Sequence, residues 1–83
     1  MVSYLTEHKF EINAVFIRKS NINTILFIIP ELIFISDKFL KTFTKSRELE
    51  RLFNHTIDIT FMGSSLENVN IKKLESDGFL KQY

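Results

Sequence analysis

The chain contains no cysteine and no tryptophan, and only one proline and two glycines in 83 residues. Without cysteine it has neither a disulfide framework nor a thiolate zinc site. Two isolated glycines, Gly63 and Gly78, cannot supply the glycine-rich loops that cradle phosphates. Charge of one sign is also missing. Eleven Lys and Arg against ten Asp and Glu leave a net charge of +1, so no global field points to nucleic acid or an acidic membrane. Long apolar runs are absent as well. The most apolar stretch, Ile25 to Ile35, is interrupted by Pro30 and Glu31 and is too short to span a bilayer. The opening residues MVSYLTEHKF lack the apolar segment of a secretory signal. These absences give the expectation of a cytoplasmic protein without membrane association.

What is present is β-branched and aromatic. Nine Phe and eleven Ile stand against a single Ala, and the hydrophobic fraction is 45%. That is too apolar for a disordered tail, and residues of this type suit a pleated, half-buried surface. The length suits one domain, residues 1–83.

Residues 1–8 read as a loose lead-in from which Tyr4 and Leu5 could dock. Lys9 to Arg18 alternates, with Phe10, Ile12, Ala14 and Phe16 on one side and Glu11, Asn13, Val15 and Ile17 on the other, which predicts a strand. Lys19-Ser20-Asn21 is turn chemistry, and residues 23–29 form a second strand with no polar face. The two make an N-terminal β-hairpin. Pro30 allows two continuations. In one it opens a helix with Leu32, Ile35, Phe39 and Phe43 on a shared face; in the other, Ser36 caps a helix that starts at Asp37. The Pro-Glu start and the spacing favour the first, and both place helix over 38–44. Ser46 can cap a further helix, 47–53, burying Leu49, Leu52 and Phe53, and the two helices can be one. Thr56 to Met62 alternates as a half-buried strand. Ser64 and Glu67 form a capping box for a helix reaching Asp77. Gly78 fits its left-handed C′ position, with Leu74 and Phe79 in Schellman contact. Phe79 to Tyr83 is a tail or a short strand. The order β-β-α-(α)-β-α is α+β, a small, mostly antiparallel sheet with helices packed on one face.

Catalytic constellations are sparse. His55 lies near Asp58 in sequence, and with a serine could form a nucleophilic arrangement, but a helix-end histidine is the simpler reading for it and a surface one for His8. No ligand spacing for a metal occurs, and Glu48 and Glu50 at i, i+2 face apart on a helix. Gly63-Ser64-Ser65 could hold an anion through backbone N–H groups, although an ordinary capped helix start accounts for it. The expectation is therefore a non-enzymatic protein with no cofactor.

Two binding surfaces stand out. The strand at 23–29 is apolar on both sides, and a chain this short has helices for only one face of a sheet. The other face would expose Val15 and Ile17 together with either Ile25, Phe27 and Ile29 or Leu26 and Ile28, a patch of the kind that marks an interface, unless Val2 to Leu5, the tail from Phe79 to Tyr83 or a helix on each face closes it within one chain. This predicts a small interaction module (an adaptor, inhibitor or regulator) whose sheet surface meets another protein or a second copy in a homodimer. The alternative is a nucleic-acid-binding regulator that uses Lys38, Lys41 and Lys45, spaced i, i+3, i+7, with Lys72 and Lys73.

The segment Ile71-Lys72-Lys73-Leu74-Glu75-Ser76-Asp77-Gly78-Phe79-Leu80 resembles the end of the recognition helix in winged-helix transcription regulators, where the helix closes on Gly and enters the wing. The resemblance covers about ten residues and implies DNA binding. The sequence departs from the pattern in two places: Thr56 to Met62 upstream reads as strand, and Tyr83 leaves no room for a wing hairpin.

Overall fold

Apolar residues at every position of a strand require cover on both sides, and this requirement organises the molecule. The computed structural model describes residues 1–82. A four-stranded sheet runs in the order β3-β2-β1-β4, built from β1 (Ala14–Arg18), β2 (Asn23–Ile29), β3 (Ile57–Gly63) and β4 (Leu80–Lys81). Four helices accompany it: α1 (Val2–Glu7), α2 (Glu31–Phe34), α3 (Leu40–Leu52) and α4 (Ile71–Ser76). The fold is α+β. β1 pairs antiparallel with β2 and β4, while β3 pairs in parallel with β2. The parallel pairing explains the long connection through α2 and α3, because two parallel strands need a crossover.

The faces separate by residue parity. Val15, Phe27, Ile29 and Ile59 look toward one side, where Leu5 and Phe39 join them in a core. Ala14, Phe16, Leu26 and Ile28 look toward the other, where Phe79 joins them and Leu66, Val69, Ile71 and Leu74 close over the top. Helices thus cover both faces, a correction to the expected single layer. α4 is only six residues long, yet together with the 3-10 turn at Leu66–Asn68 it is enough to roof the narrower apolar patch.

The hairpin is as expected, with Ala14 opposite Ile28 and Arg18 opposite Thr24. The first strand is shorter than its alternation suggested. Phe10 and Ile12 pack with the Leu5 core while Ala14 and Phe16 belong to the opposite cluster, so the period-two pattern breaks near Asn13. There the side-chain amide donates to the Ser64 carbonyl at 2.9 Å.

The lead-in is a helix, not a loose segment, because Leu5 is fully buried in the core and pins it. Both readings at Pro30 are partly realised. A single helical turn follows the proline, extended backbone at Ser36 (ψ 149°) stops it, and a 3-10 turn at Asp37–Phe39 leads into α3. Residues 40–52 are one helix. It buries Thr42, Ser46 and Glu50, whereas Leu52 and Phe53, expected inside, are exposed. Asn54 and His55, with φ of 52° and 57°, end the helix in left-handed conformation, which Asn and His tolerate better than most residues.

The Ser64 capping box does not form. The Ser64 N–H donates to the Ile29 carbonyl, so the residue prolongs the sheet pairing, and Asn70 caps α4 instead, its Oδ1 accepting from the Lys73 N–H at 3.1 Å. The predicted helix end is as expected. Gly78 has φ +92°, and the Phe79 N–H donates to the Leu74 carbonyl and the Gly78 N–H to the Glu75 carbonyl, the two bonds of a Schellman motif. The tail pairs with β1 as β4; Tyr83 lies outside the described residues. α4 therefore turns back onto its own sheet, where the winged-helix resemblance implied an entry into a wing.

Candidate functional site

The surface expected to be open is the centre of the core. Phe27 and Ile29 are 2% and 0% exposed and Val15 is buried beside them, beneath the side chains of α1, α2 and α3. They cannot meet a partner in the folded chain, because the crossover between β2 and β3 carries its helices across this face. Ile17 and Ile25 are half-buried. Ile17 stands opposite Leu80 of β4, which is exposed, so only a narrow apolar strip remains open at that corner.

Each edge of the sheet is partly occupied. Alongside β3, Glu50 is buried on α3. One carboxylate oxygen accepts from the Ile59 N–H at 2.7 Å, and the other pairs with the Arg47 guanidinium at 3.0 Å. Arg47 in turn donates to the Ile59 carbonyl at 2.9 Å. Both outward backbone groups of Ile59 are thereby occupied by side chains. β4, at the other edge, has two residues, one of them Lys81, and short, lysine-bearing edges resist pairing.

Apolar exposure is concentrated instead on the crossover. α2 is seated by its inner side, where Ile33 and Phe34 pack on the core. Phe34 lies so close to β3 that a Cβ on Gly63 would sit 2.7 Å from its ring. A helix of one turn can bury only one side, so Leu32 and Ile35, three residues apart, face outward at 81% and 67% exposure, and Leu40 follows at 61%. Glu31, Asp37, Lys38 and Lys41 are exposed on the same stretch of chain, and Glu31 and Leu32 line a cleft with Glu11, Asn13, Ser65 and Asn68. The break at Ser36 is the sequence signal for this ledge: it prevents Leu32 and Ile35 from sharing a face with Phe39 and Phe43, which point into the core.

The richest polar group lies at the opposite end. Arg18, Ser20, Thr24, Glu50, His55 and Asp58 line a cleft of about 390 Å³. The Ser20 hydroxyl donates to the Ile22 carbonyl, the Glu50 carboxylate is engaged as described, and Arg18 lies over the Phe79 ring at 4.8 Å. Among the described residues, no side-chain hydrogen bond joins His55 to Asp58 or Ser20, and no three His, Asp or Glu groups converge as metal ligands. His8 is exposed, its Nδ1 donating to the Tyr4 carbonyl. The sheet divides the lysines. Lys38, Lys41 and Lys45 lie along the crossover, Lys45 half-buried, while Lys72 and Lys73 sit on α4 over the opposite face. The two groups do not form one phosphate-binding surface. At Gly63-Ser64-Ser65 only a short 3-10 turn follows, with the Ser64 N–H already bonded to Ile29. Among the described residues, no helix is long and apolar enough to cross a membrane. Compared with protein-family models, with curated proteins and with solved structures, the chain matches none of them.

Proposed function

We propose that this protein is a small non-enzymatic interaction module, of the adaptor, inhibitor or regulator kind, whose contact surface is the apolar ledge of Leu32, Ile35 and Leu40. The observation that carries the reading is their exposure at 81%, 67% and 61%, in a chain whose sheet has helices over both faces and side chains on the β3 edge at Ile59. Three large aliphatic side chains presented within nine residues expose an apolar area of the order of a few hundred Å², the size at which a patch on a monomer is commonly functional. Ile33 and Phe34 anchor α2 on the core beneath Leu32 and Ile35, which limits the ordering entropy lost on contact there.

The test is capture from an extract of the native source on immobilised protein, comparing wild type with a Leu32→Glu/Ile35→Glu double variant. Both positions are exposed, so the variant should keep the wild-type circular dichroism spectrum. Proteins retained by wild type and released by the variant support the reading. Identical capture by both overturns it. Capture of nucleic acid that falls steeply with added salt would favour the lysines instead.

A further inference from the structure

We infer that the β3 edge from Phe61 to Gly63 is a second contact surface, separate from the ledge, and that it takes an extended peptide segment of another protein as a fifth strand. The argument rests on parity along β3. The Asn23 N–H donates to the Thr56 carbonyl and the Ser64 N–H to the Ile29 carbonyl, so β2 is bonded by the even-numbered residues of this stretch. Ile57, Ile59, Phe61 and Gly63 therefore turn their N–H and C=O groups away from the sheet. At Ile59 this is seen directly: its N–H donates to Glu50 at 2.7 Å and its C=O accepts from Arg47 at 2.9 Å. An acceptor beside a donor is what one residue of a neighbouring strand presents, so α3 stands in for a fifth strand at that one position. At Phe61 and Gly63, among the described residues, no group takes that place. The open row stops at Ser65, whose carbonyl accepts from the Asn68 N–H and the Ser64 hydroxyl. Alternating donors and acceptors in one line match an extended backbone. A helix does not offer that match, because its backbone bonds are made internally. The α4 side of the sheet supplies the side-chain half of the site. Met62 faces Ile28 across the ladder, which places it on that side, and it is 41% exposed. With Val69 and Leu74 it lines a cleft of about 350 Å³ that also holds Lys73 and Asp77. Residues opposite one another on adjacent strands share a face, so the peptide residue opposite Met62 points to the cleft side. A large apolar residue suits that position, and Lys73 with Asp77, of opposite sign, selects no charge. The open row is short, so the contact is weak and transient.

Amide hydrogen exchange of the free protein reads the edge first. The Ile59 amide, held by Glu50, exchanges far more slowly than those of Phe61 and Gly63. Equal protection at the three overturns the inference. A phage-displayed library of random nonapeptides is then selected on wild-type protein. The expected peptides carry a large apolar residue and shift the Phe61 and Gly63 amide resonances of labelled protein. Backbone N-methylation weakens them at alternate residues only, the signature of a strand bonded along one edge. Met62→Lys, at an exposed position, keeps the wild-type circular dichroism spectrum and binds them about tenfold or more weakly. The Leu32→Glu/Ile35→Glu variant binds them as wild type does. A library that yields no such peptide, binding that leaves both amide resonances unmoved, or full binding by Met62→Lys each overturn the inference. Peptides lost in the ledge variant and kept by Met62→Lys overturn the edge and support the ledge.

Discussion

The two faces of the sheet are built from different materials. On one side the core is a lattice of rings. Phe39 is fully buried and meets Phe43 and Phe61 edge-on at 5.5 and 5.4 Å, with Phe10 at 5.3 Å and Phe34 at 5.9 Å. Phe61 continues the lattice to Phe27 at 5.6 Å. Three helices and three strands contribute to this core as a whole. On the other side Ala14, Phe16, Leu26 and Ile28 lie beneath one 3-10 turn and six residues of α4. A helix that short has no stability of its own. The difference teaches that the side with the ring lattice carries the global stability, while the other side is closed by a lid that can open without unfolding the rest.

The largest expected effect comes from Phe39→Ala. It removes the ring at the centre of the lattice, where four neighbouring rings from separate parts of the chain cannot all move in to fill the space. The expected loss is about 3–5 kcal/mol, most of what a domain of this size has, so urea unfolding should show a chain that is largely unfolded near room temperature. Phe16→Ala, equally buried but beneath the lid, should cost less, because the lid can settle onto the vacated space. Equal losses at the two positions would end the distinction.

A smaller and more local contrast comes from the two glycines. At Gly63 a Cβ would meet the Phe34 ring and Cβ at 2.7 to 2.9 Å, and Phe34 belongs to the aromatic core, so Gly63→Ala must push α2 away. The cost is about 1–3 kcal/mol. At Gly78 there is room, the nearest atoms being Arg18 stem carbons at 3.5 Å, but φ is +92°. An alanine there is strained by about 1–2 kcal/mol, and the strain falls on the Schellman turn that holds the lid. Hydrogen exchange separates the two: Gly78→Ala should speed exchange in α4 and spare α3, and Gly63→Ala should disturb α2 and the end of β3. Uniform acceleration throughout the chain in Gly78→Ala would mean that the lid is not an independent unit.

This contrast also marks how far the residues could be read in order along the chain. What depends on neighbours in sequence was legible. The strand at Asn23–Ile29 was expected at residues 23–29, and the Leu74–Gly78–Phe79 turn formed as its spacing required. What depends on distant partners was not. Tyr4 and Leu5 could be seen as able to dock, but the helix that Leu5 pins, and its full burial, appear only once the strands lie beneath it. Ser64 and Asn70 both had capping chemistry, and the choice fell to Asn70 because Asn13 and Ile29 engage the Ser64 backbone from elsewhere in the sheet. The site suffered most. Apolar residues on both sides of β2 implied an open face, but the crossover that makes β3 parallel brings helices over it, and the exposure moves to the crossover itself. Ser36 was the available signal, as a break that isolates Leu32 and Ile35.

The smallest effect sharpens the comparison most finely, because it concerns a polar group inside the aromatic side. α3 buries Thr42, Ser46 and Glu50 at four-residue spacing. Ser46 bonds the Phe43 carbonyl at 2.7 Å and Glu50 bonds Ile59, but among the described residues the Thr42 hydroxyl is buried with no partner. An unpaired buried hydroxyl costs free energy that a methyl group of the same shape does not. Val and Thr have nearly equal helix propensity, so Thr42→Val exchanges only the hydroxyl. It should raise stability by about 1 kcal/mol, an upward shift in Tm of several degrees for a domain of this length. A fall in Tm would mean that the hydroxyl has a partner, and that the aromatic side tolerates polar groups on the same terms as the lid.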